Sequence, residues 1–170
     1  MPPDDLADQL ERLHAAAFGW ALSCARWDRE AAEDVLQASY LKILDGRARF
    51  DGRSSLRTWV FGVIRRTAAE ARRRAALRRW LPLRWVTPAA EADGRPDPEA
   101  AVAQADETAR LTRALAALPD RQRDVLHLVF YEGLTIAQAA DLLRVSLGTA
   151  RTHYERGKTA LRRILGRDEQ

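Results

Sequence analysis

The sequence predicts an all-α protein: two small helical domains, the second a helix-turn-helix, joined by an acidic flexible linker. Three observations carry this. Apolar residues recur at helical spacing through both halves of the chain. No alternating Val/Ile-rich run argues for strands. Residues 87–98, TPAAEADGRPDP, hold three prolines and a glycine among acidic and small side chains, with no large apolar residue. Such a stretch cannot build a core and reads as a tether. The division is therefore a first domain over 1–86, a linker over 87–105 and a second domain over 106–170, which fits the usual domain sizes for 170 residues.

Each element has its own signal. Leu6, Leu10, Leu13, Ala17, Trp20, Ala21 and Cys24 mark a first helix. Asp28 is placed to cap a second, whose inner face is Ala32, Val35, Leu36, Ser39, Tyr40 and Ile43. Gly46 and Gly52 punctuate a loop. Ser54 or Ser55 then caps a third helix with Leu56, Trp59, Val60, Val63, Ile64, Thr67 and Ala71 on one face. After the linker come Leu111, Leu115 and Leu118, then Pro119. Asp120 is expected to cap a helix carrying Val125, Leu126, Leu128, Val129 and Tyr131, stopped by Gly133. Thr135 caps a helix over 136–143. After the turn at Arg144, Val145 and Ser146, a second helix runs to about 165. Ala140 is small where two steeply crossing helices approach, and Leu142, Leu143, Val145, Leu147 and Ala150 fill the angle between them.

Charge is distributed in blocks. The net charge is +4, but residues 1–46 carry −5, 47–84 carry +10, 85–107 carry −5 and 108–170 carry +4. Twelve arginines fall within 47–84, interleaved with Phe50, Trp59, Phe61 and Trp80. A block of this kind needs a counter-charge, and a nucleic acid supplies it. A helix-turn-helix places its second helix in the major groove, N-terminus first. The outward side chains there are Thr149, Arg151, Thr152, Glu155 and Arg156. Arginine reaches guanine edges or phosphates, glutamate accepts from cytosine, and threonine touches a phosphate or a thymine methyl.

Other function classes find no support. A single cysteine, Cys24, excludes an intramolecular disulfide and a Cys-based zinc site. His14, His127 and His153 have no metal-ligand spacing, and no phosphate loop or nucleophile motif occurs. His127 reads as a satisfied helix residue and Cys24 as a buried small hydrophobe. No catalytic residue, metal, cofactor or small-molecule substrate is expected; a small nuclease would need an acid cluster that is missing. The acidic start and the lack of a run of about 18 apolar residues suggest a cytoplasmic protein.

Two stretches carry a family resemblance. LPDRQRDVLHLVFYEGLTIAQAADLLRVSLGTARTHYERGKTALRR, from Leu118 onward, resembles the sigma-4 domain of bacterial sigma factors of the extracytoplasmic-function (ECF) group, down to Gly148 and Thr149 opening the recognition helix. AEDVLQASYLKIL at 32–44 and RFDGRSSLRTWVFGVIRR at 49–66 resemble the sigma-2 domain. Departures are Gln138 and Ala139 in place of Glu-Ile, Arg144 at a turn position usually glycine, His153 in place of an arginine and Arg66 in place of an asparagine. Left-handed backbone at Arg144 would cost about 1 kcal/mol.

The resemblance implies a promoter-specificity subunit that binds core RNA polymerase and recognises −10 and −35 promoter elements. It assigns Asp34, Gln37 and Lys42 to binding of the core polymerase, whose clamp and flap surfaces are the expected partners. It assigns Arg49, Phe50, Arg53, Ser54, Arg57, Arg65 and Arg66 to the −10 element, where cations meet the backbone of an unpaired strand and planar groups meet bases. Trp59 lies on the apolar stripe and reads as core. Arg72, Arg73 and Arg74 either hold upstream duplex or solubilise the helix end. Thr149, Arg151, Thr152, Glu155 and Arg156 read the −35 element. The linker is expected near the path of nascent RNA, and Trp80 and Trp85 dock on either domain or on an inhibitor. Promoter DNA and an anti-sigma protein complete the partners; the latter, often membrane-anchored, would hold the chain at the membrane. The competing reading is a stand-alone regulator binding duplex DNA as a dimer, which leaves the arginine-rich loop and the AEDVLQ helix unexplained.

Overall fold

The computed structural model describes residues 3–80 and 102–167. Seven helices account for nearly all of them: α1 (Pro3–Cys24), α2 (Arg29–Leu44), α3 (Leu56–Trp80), α4 (Val102–Ala116), α5 (Asp120–Phe130), α6 (Ile136–Leu143) and α7 (Leu147–Arg167). No strand occurs among the described residues. Most of the expected linker, with Trp85, lies outside them; α4 begins at Val102, inside the segment read as linker.

The helix starts follow local chemistry. The Asp28 carboxylate accepts from Ala31 N at 3.0 Å. Of the two candidate serines, Ser55 caps α3, accepting from Thr58 N at 3.1 Å. Thr135 and Gln138 form a reciprocal capping box on α6. Ser146 Oγ accepts from Thr149 N at 3.1 Å and opens α7. Asp120 departs from expectation: Pro119 precedes the helix with no side-chain cap, its carbonyl taking Gln122 N and Arg123 N. Asp120 is the first helical residue, where the dipole favours an anion, and its carboxylate turns to Arg26 and Arg123. Arg144 does adopt the left-handed backbone, with φ 55°, between α6 and α7.

α1, α2 and α3 form one helical group around Trp20, which is fully buried and donates from Nε1 to the Phe61 carbonyl at 3.0 Å. α5, α6 and α7 form the second, with α4 laid along α7. The two groups are not separate cores. α1 packs on α5 and α3 on α6, so Trp20, Phe61 and Ile64 join Val125, Leu128 and Leu143 in one continuous cluster. Three helices bury only a modest share of their surface alone. The faces of α1 and α3 that α2 leaves uncovered are closed by α5 and α6. A second cluster of Leu115, Leu118 and Leu126 takes in Trp27 from the α1–α2 turn, with Leu161 and Ile164 of α7.

Some apolar expectations change. Tyr131 and Leu147 are exposed rather than inward, and Ala71 lies beyond the buried stripe of α3, which ends at Ala68. Periodicity marks a face but not how far the opposing helix extends. Ala140 is buried as expected. Among the described glycines the tightest approach is at Gly157, where a Cβ would stand 3.0 Å from Leu126 Cδ1 and 3.3 Å from Gln122 Cβ. Gly157→Leu is expected to destabilise the protein by about 1–3 kcal/mol through overpacking, measured as a fall in the urea midpoint at unchanged slope.

Candidate nucleic-acid interface

The arginine-rich loop between α2 and α3 stands in solvent. Arg49 and Arg53 are exposed, as is Ser54, and Phe50 leans on Trp59 with ring centroids 5.4 Å apart. Trp59 does two things at once: it packs against the core cluster and forms a wall of an open groove of about 420 Å³. Arg47, Arg49, Arg66 and Lys42 line the same groove. Cations around an aromatic wall suit a base held beside its phosphates.

Two residues expected in this set face elsewhere. Arg57 and Arg65 are half-buried on the side of α3 that meets the second helical group. Arg57 donates to Glu132, at the end of α5, and its guanidinium lies 5.5 Å from the Phe61 ring centroid. Arg65 Nε faces Asp124 at 3.5 Å. His127 completes this buried polar seam: its ring stands 5.2 Å from Trp20, and Nε2 lies 3.2 Å from Glu132 Oε1. His127 is thus the satisfied helix residue the sequence suggested.

The seam perturbs its carboxylates in opposite directions. Burial pushes the Asp124 carboxyl up, more than the nearby charges of Arg123 and Arg65 pull it down. Burial also raises Glu132, but there the hydrogen bond and charge of His127 and the charge of Arg57 prevail. They hold the carboxyl below the ordinary glutamate range. Cys24, beside this region, is buried and its thiol is pushed well up by that burial, as expected of an inert core thiol.

On α7, Thr149, Arg151, Thr152, Glu155 and Arg156 are all exposed, as expected of a recognition helix. The helix orders several of them. Thr149 Oγ1 lies 2.8 Å from Ser146 Oγ, and Thr152 Oγ1 donates to the Gly148 carbonyl at 3.0 Å. Glu155 pairs with Lys158 at 3.1 Å. The opposite face carries Tyr154, stacked on Phe130 at 5.8 Å.

On α2, Asp34 and Gln37 are exposed and border a shallow groove of about 650 Å³ with Phe18, Tyr40, Leu41 and Leu44. Leu41 and Leu44 are 49% and 55% exposed, so this face is apolar at its centre and polar at its edge. Lys42 does not share it. Its Nζ turns to α3, donating to Glu70 at 2.7 Å and Thr67 Oγ1 at 3.1 Å. That hydrogen bond holds the Glu70 carboxyl below its usual range. Arg72 is engaged too, donating to the Cys24 carbonyl at 2.7 Å and closing the end of α1. Arg73 and Arg74 are exposed.

Sequence reasoning missed Asp124, Glu132 and the fully buried Arg123. Their signal was a run of charges inside the apolar pattern of α5, which a solvated face explains equally well.

Comparison with known proteins places this geometry. Residues 10–78 match the family model of sigma-70 region 2, and residues 108–161 match that of sigma-70 region 4. The ECF RNA polymerase sigma factor SigX of Bacillus subtilis is 30% identical over 139 residues, covering 80% of this chain and 71% of that protein. The chain belongs to the ECF sigma factors. It is a promoter-recognising sigma subunit of RNA polymerase. SigM of Mycobacterium tuberculosis is 28% identical over 159 residues, covering 94% of this sigma factor and 76% of its relative. The fold matches the sigma factor RpoE from Bartonella quintana, solved with the anti-sigma factor NepR, at a TM-score of 0.72 and 20% identity, covering 95% of this chain and 97% of that one. It also matches CnrH, solved with the cytosolic domain of CnrY, at a TM-score of 0.65 and 20% identity, covering 95% and 88%. Sigma factors are regulatory promoter-specificity subunits. Among the described residues no helix is long and apolar enough to cross a membrane.

Because the folded carboxyl of Glu132 lies below its unfolded value, its contribution to stability is fully present above about pH 4.5. It is lost as the pH falls through the folded value. Glu132→Gln is expected to cost about 1.5–3 kcal/mol at pH 7, the worth of a hydrogen bond to a charged group. The deficit should shrink as the pH is lowered from 4.5 through the folded value, measured by urea unfolding across that range.

Proposed function

We propose that this sigma factor works through three surfaces. The region-2 part, over 1–86, docks on the clamp of core polymerase through the α2 face, with Asp34 and Gln37 at its polar edge and Leu41 and Leu44 at its centre. Lys42 fixes α2 against α3 and so sets the angle of that face. The single observation that carries the reading is the pair of sigma-70 region matches in family order, each coinciding with an exposed surface of the expected chemistry.

The −10 element is held by the loop and the start of α3. An extruded base enters the groove beside Trp59, with Phe50 and Ser54 at its rim. Arg49, Arg53 and Arg66 follow the unpaired strand, and Arg57 and Arg65 join them once released from α5. The −35 element lies against α7 of the 106–170 domain. Arg151 and Arg156 read bases or phosphates there, with Thr149, Thr152 and Glu155 beside them. The 87–105 linker runs between the two through the polymerase. The protein acts in the cytoplasm, has no catalytic role of its own, and is held inactive by an anti-sigma protein. That last point is supported by the RpoE relative, which was solved with the anti-sigma factor NepR.

Core polymerase supplemented with this protein should initiate at a discrete set of genomic sites, mapped by sequencing transcript 5′ ends. No change from core enzyme alone would refute the reading. Substituting Asp34 and Gln37 together with alanine should weaken core binding at least severalfold in a pull-down while leaving the helical content intact. Arg151→Ala or Arg156→Ala should cost about 1–3 kcal/mol and relax one base position of the −35 element, if the arginine reads a base. Uniform loss across sequences would assign that arginine to a phosphate.

A further inference from the structure

The seam between the two helical groups is built from the −10 arginines. Arg57 donates to Glu132 and Arg65 faces Asp124. Arg26 pairs with Asp120 at 3.0 Å. Asp120 and Asp124 both belong to α5, and Glu132 lies two residues past its end. One short segment of the region-4 part thus presents three carboxylates to three arginines of the region-2 part. A guanidinium fork accepts a carboxylate or a phosphate in the same geometry, so these acids stand where strand phosphates would bind.

The backbone gives independent support. Arg26 and Trp27, neither a glycine, are successive left-handed residues with φ 57° and 64°. Such strain persists where surrounding contacts over-determine it. The turn bonds back to α1, Trp27 N donating to the Leu22 carbonyl at 2.8 Å, but its side-chain contacts belong to the second group: Arg26 meets Asp120, and Trp27 packs on the Leu115, Leu118 and Leu126 cluster with the Arg123 guanidinium 6.0 Å from its ring centroid.

Reach adds a third argument. The two promoter elements are centred about 25 base pairs apart, roughly 85 Å along the duplex at about 3.4 Å per pair. A compact 170-residue chain has a radius of gyration of about 15–16 Å and is about 40 Å across. The closed arrangement cannot touch both elements.

Resting on the promoter reading above, we propose that the structure is a self-latched form. Glu132, Asp124 and Asp120 hold the chain closed and mask Arg57 and Arg65 from the −10 strand, so promoter engagement requires the two groups to part. The acids compete with DNA for the same guanidinium groups, and closure and strand binding exclude one another.

The test uses the full chain with dyes on Ala15→Cys and Arg163→Cys, both at exposed positions. Energy transfer reports closure, and fluorescence anisotropy reports binding of a mixed-sequence single-stranded DNA oligonucleotide. Glu132→Gln should lower transfer and tighten strand binding by about three- to tenfold, as the competent fraction rises. Arg26→Glu, at an exposed site, should lower transfer through repulsion from Asp120. Far-UV circular dichroism verifies that each variant remains helical. Unchanged transfer in both helical variants overturns the latch. Lowered transfer without tighter strand binding overturns the masking. Transfer is read without DNA or polymerase, so failure of the latch is distinguishable from failure of the promoter reading, which the transcript mapping tests by itself.

Discussion

An arginine taken out of water must keep an anion beside it, and that requirement organises this molecule. Breaking such a buried pair leaves an uncompensated charge and typically costs several kcal/mol. Arg123 is 1% exposed and is held by Asp120 at 2.9 Å with Asp124 one turn on. Arg57 and Arg65 reach the same segment from α3. The apolar packing of Trp20, Phe61 and Ile64 on Val125 and Leu128 supplies the adhesion between the groups. The charged pairs fix where the groups meet, since a misplaced register would strand several charges at once. The adhesive term is non-directional and the ionic term is directional. Together they define one closed arrangement.

The same chemistry explains how a closed form and a DNA-binding protein coexist in one sequence. The guanidinium groups need oxygen anions in both states, and only the donor of those anions changes. What stays constant is the exposed set. Arg49, Arg53 and Arg66 in the first group, and Arg151 and Arg156 on α7, stand in solvent in the closed form. Initial attraction to DNA therefore survives closure. Full engagement of the −10 strand does not.

Much of this was legible in the sequence, and the rest was not, for identifiable reasons. The caps at Asp28, Thr135 and Ser146, the left-handed Arg144 and the exposed face of α7 follow from local rules, in which a residue's partner lies within four positions. Trp59 was read as core and proved to be both core and groove wall, because an aromatic ring has two faces and periodicity describes one. Arg57 and Arg65 were read as free to meet strand phosphates because their partners within the chain lie 75 and 59 residues away. Lys42 looked like part of the Asp34 surface because helical spacing cannot tell the flank that faces α3 from the flank that faces solvent. Asp120 looked like a cap because an acid after Leu-Pro usually is one; here Pro119 takes that position and Asp120 serves the seam. At Arg57, Arg65 and Lys42 a long-range pairing overrides the local signal.

The central claim is that Arg57 exchanges an acid of its own chain for the promoter strand. A photo-reactive amino acid placed at position 58, beside Arg57 with its guanidinium intact, tests this directly, in the isolated chain and in the reconstituted promoter complex. The account predicts cross-links to residues 120–132 in the isolated chain and to the non-template strand in the complex. Cross-links confined to residues 120–132 in both states would contradict it.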